Sequence, residues 1–399
     1  MPGDLISVEE TRSRVLAAVR SLPAELVAAA DALGRVLAAD VVSELELPPF
    51  DSSAMDGFAV VAGPAGELPV VGESRAGTPF GGTLRPGEAA RISTGAVVPI
   101  GADAVVPVER VEERGESVQV PATEPGDHIR RAGEDVHAGQ LVLRAGMRVG
   151  PPELGMLAAM GVETTPCARR PRVAIVATGD ELRAPGETLG PGQIHDSNAV
   201  TIGAQAALAG AEVIGRTSAG DDREATLGAL RKALETADVV CVSGGVSVGP
   251  HDHVRPALAE LGAEQHVWGV RLKPGKPFWF GTRDAGEVRK LVFGLPGNPV
   301  SAMVTFQLFA LPALRALQGA DPSASRSSAI LDAPLARNPD RDQAVRCRLR
   351  MDDDGWHVQA TGAQGSHVLS SMVGAGALAV VPAGEGVIAP GERVAIEVL

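Results

Sequence analysis

Three stretches decide the fold of this chain: RVAIVATGDEL at residues 172–182, DVVCVSGGVSVGPHDH at 238–253 and LVFGLPGNPVSAMVTFQLF at 291–309. In each, a continuous run of Val, Ile and Leu precedes a turn that is rich in Gly or bounded by Pro. A run without polar alternation is typical of a strand covered on both faces, as in a parallel sheet between two layers of helices. We therefore expect the three turns at one edge of the sheet, where open α/β sheets bind ligands.

The composition excludes several classes of protein. A formal net charge of −13 disfavours nonspecific binding to nucleic acid or to an anionic membrane. No apolar run was found that approaches the roughly 18 to 20 residues of a membrane helix, and the N-terminus MPGDLISVEE is acidic where a signal peptide would be basic. Cys167, Cys241 and Cys347 are odd in number and far apart, which argues against a disulfide framework and a cysteine-based zinc site. We expect a soluble cytoplasmic protein without a nucleic-acid or membrane partner.

With 399 residues, the chain exceeds the size of one ordinary core, so several domains are expected. Short strands and turns from about residue 58 to 147 indicate a β-rich domain, and the helix signal PPELGMLAAMG (151–161) returns the chain toward its N-terminal elements. We predict a discontinuous elongated domain (1–44 and 138–168), a β-rich domain (45–137), a parallel α/β domain (169–320) and a C-terminal β-barrel or sandwich (321–399), of which we favour the barrel.

Local signals predict several helix starts. Ser7 and Glu10 form a capping box, and Asp31 is the expected N-cap of a short helix over DALGRVLA. Asn198 is the expected cap of a helix that runs through Leu208. These assignments concern packing and not chemistry.

Backbone amides are the first candidate binding groups. The turns at Gly244-Gly245 and at Pro296-Gly297-Asn298 are expected to feed helix N-termini, with Asn298 as cap and Pro299 at the first helical position. Unpaired N–H groups and the helix dipole favour a phosphate or similar oxyanion there. The alternative is that glycine serves only the turns.

Carboxylates are the second candidate group. Glu181, Asp221 and Asp252 each follow a different strand, so they could converge on one pocket, and oxygen ligands of this kind suit Mg²⁺. The alternative is that Asp221 and Asp222 cap a helix and that Glu181 is a solvated loop residue.

Two lysines form the third candidate group. Lys273 and Lys276 lie in KPGKP, where two prolines and a glycine stiffen the turn, which favours a bound small anion. The alternative is that both lysines only make the turn soluble. The histidines show no ligand spacing, and neither a nucleophile elbow nor a P-loop occurs.

The chain resembles the molybdopterin molybdenumtransferase (MoeA) family, whose eukaryotic relatives include the E domains of gephyrin and its plant counterpart. Nine motifs occur in the family's order from about residue 7 to the C-terminus. They are PPFDSSAMDGFAV, STGAVVPIGADAVV, IRRAGEDVHAG, ATGDEL, GQIHDSN, SGGVSVGPHD, KPGKPF, GLPGNPVSA and QGSHVLSS.

The resemblance implies that adenylylated molybdopterin and molybdate react, with Mg²⁺, to give molybdenum cofactor and AMP. It implies an upstream molybdopterin adenylyltransferase as supplier, four domains, and a homodimer whose cleft lies between the α/β domain of one subunit and the β-rich domain of the other. The implied catalytic residues are Asp56, Thr94, Glu181, Asp221 and Asp252, the metal ligands among them being Glu181, Asp221 and Asp252. The implied substrate-binding residues are Ser243, Gly244, Gly245, Ser247, Pro296, Gly297, Asn298 and Pro299. The implied molybdate-binding residues are Lys273, Lys276, Arg346 and Ser366.

Two other functions are weighed against the transferase. The chain could be a dimeric scaffold of the gephyrin type that docks a protein partner, because a fold does not determine a function. It could also be a generic nucleotide-binding α/β protein. The acids and the KPGKP turn favour the enzyme over the scaffold, and the lack of a P-loop or dinucleotide fingerprint weakens the third reading.

Overall fold

The central unit of the computed structural model, which describes residues 5–246, 252–286 and 288–399, is a six-stranded mixed sheet. Its strands lie in the order Glu212–Ala219, Arg172–Thr178, Val239–Ser243, Val288–Leu295, Trp279–Ala285 and Glu264–Trp268. The first four strands are parallel to one another, and each of the last two pairs antiparallel with the strand before it in this order. The three strands predicted from the opening stretches are neighbours in the middle of the sheet, which confirms that they end at one edge.

Both faces of this sheet are buried, which explains the unbroken apolar runs. Val173 and Ile175 point into one core cluster, whereas Ala174 and Val176 point into the cluster on the opposite face. Alternate side chains of a strand face opposite sides, so a strand buried on both sides has no position for a polar residue. The covering helices are Val8–Ala17, Asn198–Leu208, Arg223–Thr236, Val254–Glu260 and the continuous helical segment of Pro299–Thr305, Phe306–Ala310 and Leu311–Leu317, whose middle part is π-helical.

The segment Pro299–Leu317 corrects one statement made from the sequence. It is a 19-residue helix that is long and apolar enough to cross a membrane by length and composition, although no such run was recognised. Of its apolar window, 83% is buried inside the protein, so it is a core helix in this fold. Its buried hydroxyl group at Thr305 donates to the Ser301 carbonyl oxygen at 2.8 Å, which satisfies that group within the helix.

The elongated unit joins two distant parts of the chain. Strand Ala24–Ala28 pairs antiparallel with Thr164–Ala168, and Val41–Val42 pairs with Leu141–Leu143. The 3₁₀-helix Ala29–Asp31 and the helix Pro151–Ala159 complete it. The first helix, Val8–Ala17, belongs in sequence to the predicted elongated domain, and its Val8 and Val15 pack in the core cluster of the α/β domain.

The predicted helix over DALGRVLA is wrong. Gly34 has a φ of +72°, and Val36 and Leu37 form β-bridges to Arg148 and Cys167. A left-handed residue in the middle of the stretch is incompatible with a continuous helix, and pairing with distant segments takes precedence over local helix preference.

The β-rich domain is a second six-stranded sheet. Its strands lie in the order Ala104–Pro107, Gly57–Val60, Ala89–Ile92, Gly66–Ser74, Ser117–Val120 and Glu112–Arg114. The 3₁₀-helix Val108–Arg110 follows its edge strand, and Ser52–Ser53 pairs separately with Ile129–Arg130.

The C-terminal domain is a closed five-stranded barrel. Its strands lie in the order Asp342–Asp352, Gly355–Ala360, Arg326–Leu331, Arg393–Val398 and Ala377–Val381, and the last pairs back with the first. A small pair, Leu335–Ala336 with Val387–Ile388, and the 3₁₀-helix Leu369–Met372 lie beside it. Closure leaves the barrel without a free edge. The short strand Leu272–Lys273, from the α/β domain, pairs in parallel with the start of the barrel strand Asp342–Asp352.

Arg12 ties three parts of the molecule together. Its Nε donates to the Leu308 carbonyl oxygen at 3.3 Å, and its Nη2 lies 2.6 Å from the Glu397 carboxylate in the last strand of the barrel. Pro312 has no N–H to offer to the carbonyl of Leu308 four residues earlier, so the arginine supplies a donor there. The side chains of Arg12 and Glu397 are only 6% and 3% exposed.

Replacing Arg12 with Met should destabilise the protein strongly. The substitution leaves Glu397 buried beside Ser325 with only the longer, 3.7 Å contact to Arg326 Nε, and removing one partner of a buried pair costs about 3–5 kcal/mol. The measurement is the urea dependence of unfolding. Arg14→Met is the matched control, because Arg14 lies on the same helix in an exposed pair with Glu10 and should change stability by less than about 0.5 kcal/mol. Equal effects of the two substitutions would contradict this role of Arg12.

Candidate active site

A small cavity lies at the edge where the central strands end. Its volume is about 100 Å³. The lining residues come from the ends of three adjacent strands, from the loop after the first of them and from the start of two helices. They are Thr178, Glu181, Leu182, Ile194, His195, Asp196, Ser197, Asn198, Ser243, Gly244, Gly297 and Pro299. The structure thus brings one predicted catalytic acid together with four predicted substrate-binding residues.

Glycine is required where the second strand turns. Gly244 and Gly245 have φ angles of +89° and +63°, and a Cβ on Gly244 would lie 2.8 Å from the carbonyl oxygen of Thr178. A side chain at Gly244 would therefore need both a left-handed backbone and a shift of the neighbouring strand end. The glycines let the turn lie directly against the end of strand Arg172–Thr178.

Asn198 is the site residue that the site prediction missed. Its side chain is 9% exposed, and its Nδ2 donates to Ser243 Oγ at 2.8 Å and to the Gly297 carbonyl oxygen at 2.7 Å. Its Oδ1 is buried and has no hydrogen-bond partner among the described residues. An unpaired buried acceptor costs about 1–3 kcal/mol, so it calls for an explanation. The available signal was the motif GQIHDSN, which was used only for the resemblance.

The predicted capping role of Asn198 is wrong. The helix begins at Asn198 itself, Ser197 occupies the N-cap position, and the Ala199 N–H donates to Asp196 Oδ1 at 3.0 Å. Asp196 therefore satisfies the helix start, which leaves the amide of Asn198 available to join the strand ends.

The two predicted anion-binding turns differ. The Gly244 N–H donates to the Leu295 carbonyl oxygen at 3.1 Å, so this amide is already used, and the next described helix begins only at Val254. Ser247 lies outside the described residues. In the second turn, Asn298 is the N-cap and Pro299 the first helical residue, as predicted. The Asn298 side chain does not cap the helix, however, because its Nδ2 donates to Ser366 Oγ at 3.2 Å.

The three predicted metal ligands are not gathered into one cluster. Glu181 is exposed at the cavity, and Asp221 exchanges backbone-to-carboxylate hydrogen bonds of 3.1 and 3.3 Å with Asp180. Asp252 is partly buried before helix Val254–Glu260. Within the described chain, oxygens of the three acids do not all lie within 4.8 Å of one another. The helix cap is Asp222, whose Oδ1 accepts from the Ala225 N–H at 2.8 Å, and the proposed cap role of Asp221 is not seen.

A metal-compatible group does occur elsewhere. Ligand atoms of Asp352, Asp354 and His357 lie within 4.8 Å of one another on the barrel, and sequence reasoning missed it. Both ring nitrogens of His357 already face carboxylates, those of Asp332 and Asp354, at 2.7 Å. These hydrogen bonds raise the pKa of His357, and the one to Asp354 contributes most. The ring therefore acts as a hydrogen-bond donor to these carboxylates.

Two of the predicted molybdate residues, Lys273 and Ser366, lie where the α/β domain meets the barrel. Lys273 pairs with Gln343 at the start of the strand that carries Arg346, and the side chains of Lys273 and Lys276 are exposed. Ser366 contacts Asn298, and its carbonyl oxygen accepts from the Val300 N–H at 3.2 Å. The loop with Ser366 is thereby fastened to the helix start.

Arg346 is entirely buried. Its guanidinium donates to Ser371 Oγ at 3.1 Å and to the carbonyl oxygens of Ala363 and Gly365 at 3.3 and 3.1 Å. Burial lowers the pKa of Arg346, and no carboxylate of the described residues lies within 4.0 Å of its nitrogens. The structure thus directs this cation at the loop that holds Ser366, and direct contact with molybdate stays a prediction.

Asp56 and Thr94 form a separate pair in the β-rich domain. The Thr94 N–H donates to Asp56 Oδ1 at 2.7 Å, and both residues are exposed. Neither lines the cavity at the strand ends, as far as the described residues define it. The described chain alone therefore does not join the predicted catalytic residues of the two domains.

Three family models match successive parts of the chain. Residues 6–161 match the MoeA N-terminal region (domain I and II), residues 174–316 match a probable molybdopterin binding domain, and residues 328–399 match the MoeA C-terminal region (domain IV). Together they span the four units of the fold.

Relatives match over nearly the whole length. A Mycobacterium tuberculosis protein named molybdopterin molybdenumtransferase 2 is 40% identical over 94% of this chain and 95% of its own, and the Haemophilus influenzae molybdopterin molybdenumtransferase is 36% identical over 98% of both. A crystal structure of the molybdopterin biosynthesis MoeA protein from Pyrococcus horikoshii OT3 superposes with a TM-score of 0.83 at 29% identity, covering 99% of this chain and 100% of that one. With the strand-end cavity and the closed C-terminal barrel, these matches show that the chain belongs to the MoeA family of molybdenum cofactor biosynthesis enzymes.

Proposed function

We propose that this chain inserts molybdenum from molybdate into adenylylated molybdopterin and releases AMP. The observation that carries the proposal is the hydrogen bond from Asn298 Nδ2 to Ser366 Oγ. It places a residue predicted to bind molybdate beside one predicted to bind the pterin substrate. The names of the relatives support a molybdopterin substrate. The adenylyl group, Mg²⁺ and the release of AMP go beyond those names and are part of this proposal.

The acids near the cavity fit a hard divalent cation in their chemistry, because carboxylate oxygens are the ligands that Mg²⁺ prefers. Glu181 and Asp221, with Asp252, would hold the ion together with oxygens of the substrate's phosphates. Bound there, Mg²⁺ would neutralise charge on the phosphoanhydride bond that breaks when AMP leaves. Since the three acids are spread around the edge, substrate phosphates would complete the coordination.

The chain's own cations serve the second substrate. Molybdate is a tetrahedral dianion, and the exposed ammonium groups of Lys273 and Lys276 lie on a turn that strand pairing fixes against the barrel. Arg346 adds positive charge from beneath and holds the Ser366 loop. The arrangement orients one dianion next to the strand-end cavity, where the pterin would lie.

Replacing Glu181 with Gln should lower Mg²⁺-dependent AMP release by about 100-fold or more and raise the Mg²⁺ concentration needed for half-maximal rate, because a neutral amide is a poor ligand. AMP release from adenylylated molybdopterin with molybdate is the measurement. Glu235→Gln is the control, because that acid is exposed near the end of helix Arg223–Thr236, which leads to the opposite edge of the sheet. An unchanged rate for Glu181→Gln would remove this acid from the reaction.

Replacing Lys276 with Ala should raise the molybdate concentration for half-maximal insertion by about tenfold while leaving binding of the adenylylated pterin unchanged, because only the anion loses a charged partner. Insertion rate against molybdate concentration is the measurement. Lys232→Ala removes an exposed lysine from helix Arg223–Thr236 and should change nothing. If both variants need the same amount of molybdate as the unaltered protein, the molybdate site lies elsewhere.

A second copy of the chain is proposed to complete the site. Asp56 and Thr94 do not line the strand-end cavity as the described residues define it, and helix Asn198–Leu208 exposes an apolar stripe. The stripe is Val200, Ala204, Ala207 and Leu208, at helical spacing, and Leu208 is 86% exposed. Beside Leu208 lies a cavity of about 550 Å³ whose walls include Met303, Leu311 and Val398. We propose that this face binds the second copy.

Replacing Leu208 with Asp should shift the protein from dimer to monomer, because a charge would have to be desolvated at the contact. Light scattering after size-exclusion chromatography gives the mass. Val387→Asp, at a 59% exposed position on the C-terminal domain, is the control and should leave the mass unchanged. A dimer of unaltered strength in the Leu208 variant would show that this helix face is not the contact.

A further inference from the structure

The side-chain amide of Asn198 is hydrogen-bonded within the described residues through its nitrogen but not through its oxygen. Both hydrogens of Nδ2 are taken by Ser243 Oγ and the Gly297 carbonyl oxygen, whereas Oδ1 has no partner in the part of the chain that the structure describes. We propose that Asn198 determines substrate specificity: its Oδ1 accepts a hydrogen bond from an N–H group of the pterin ring. The inference rests on the proposed function and adds a recognition residue to it.

Chemistry fixes the orientation of the amide. The Gly297 carbonyl oxygen can only accept, so the atom that faces it at 2.7 Å must be the nitrogen. Rotating the amide by half a turn would bring two acceptor oxygens together. Oδ1 is therefore held on the remaining side of the group, and the side chain is 9% exposed and lines the strand-end cavity.

The unpaired oxygen selects the kind of ligand group that it can contact. An ionised phosphate or molybdate offers only acceptors, so neither can satisfy Oδ1. The aminopyrimidinone part of a pterin carries N–H donors on its edge. A cavity of about 100 Å³ takes the edge of such a ring and not a whole nucleotide. The adenylyl part of the proposed substrate also carries donors, namely the ribose hydroxyl groups and the adenine amino group, and the experiment separates them from the pterin ring.

The position of Asn198 in the fold is a second reason to expect that it recognises the pterin ring. Its Nδ2 joins the end of strand Val239–Ser243 to the turn at Gly297, which follows strand Val288–Leu295. The same side chain therefore joins two of the strand ends that border the cavity, and its unpaired oxygen is buried beside them. An amide held by two hydrogen bonds loses little freedom when it binds a third group, which favours discrimination between similar ligands.

The test uses the intrinsic fluorescence of pteridines with the full-length protein. Binding of 6-hydroxymethylpterin is compared with binding of 1,3-dimethyllumazine, whose pyrimidine ring carries no N–H, and AMP binding is measured separately by calorimetry. The unaltered protein should bind the pterin at least about tenfold more tightly than the dimethyl compound, since the latter leaves Oδ1 unpaired. Asn198→Leu, of similar shape, should reduce that preference to less than about threefold and leave AMP affinity unchanged.

Two further variants make the result decisive. Asn198→Asp keeps an acceptor oxygen and should keep the preference for the pterin, even where loss of Nδ2 weakens the fold. Thr165→Val is the matched control, because Thr165 also has a buried side-chain oxygen without a partner among the described residues, but lies on strand Thr164–Ala168 of the elongated unit and does not line the strand-end cavity. It should keep the full preference.

The outcomes separate this inference from the proposed function. Equal pterin preference in the Asn198→Leu and unaltered proteins, a loss confined to AMP, a folded Asn198→Asp protein without preference, or no pterin binding to the unaltered protein would each overturn the role of Asn198. The AMP-release assay decides the proposed function independently of all four results.

Discussion

Burial of the central sheet on both faces is the constraint on which the site depends. Because strands Arg172–Thr178, Val239–Ser243 and Val288–Leu295 have no polar face and are buried up to their carboxyl ends, the first exposed groups after each buried run are those of the turn that follows it. Parallel neighbours place these turns side by side. The amide of Asn198 then links the strand end at Ser243 to the turn at Gly297, so the buried core also fixes the positions of the groups at this edge.

The barrel is attached to this edge by polar contacts as well as by packing. Asp342, 7% exposed at the start of the first barrel strand, accepts from the Val8 N–H at 3.3 Å and from the Ala383 N–H at 2.9 Å. The same strand pairs with Leu272–Lys273. The lysine turn, the first helix and the barrel therefore keep a fixed relation. Residues predicted to bind two different substrates can then belong to different domains and still face one edge.

Sequence patterns predicted those parts of the fold that local chemistry controls. The structure shows the three central strands and the N-cap positions of Ser7 and Asn298, which hydrophobic runs and local residue preferences predicted. Only half of the Ser7 capping box is seen among the described residues: Ser7 Oγ accepts from the Glu10 N–H, whereas the Glu10 carboxylate accepts from Arg14. The helix over DALGRVLA failed because distant β-bridges outweigh local preference. The role of Asn198 could not be read from its neighbours, since its partners Ser243 and Gly297 lie 45 and 99 residues away. Convergence of the acids remains a prediction, because it depends on groups that the chain alone does not bring together.

Charge composition gives a final argument for the lysine turn. The chain contains only four lysines among 36 basic residues, and two of the four lie in KPGKP. Lys290 is buried, with Nζ donating to the Ala237 carbonyl oxygen at 2.7 Å, and Lys232 is exposed on a helix. A planar guanidinium suits bidentate contact with a carboxylate, whereas an ammonium group is a compact charge that can approach a tetrahedral anion from any direction. In a chain that otherwise uses arginine, two adjacent lysines on a stiff turn are the choice expected for an oxyanion such as molybdate.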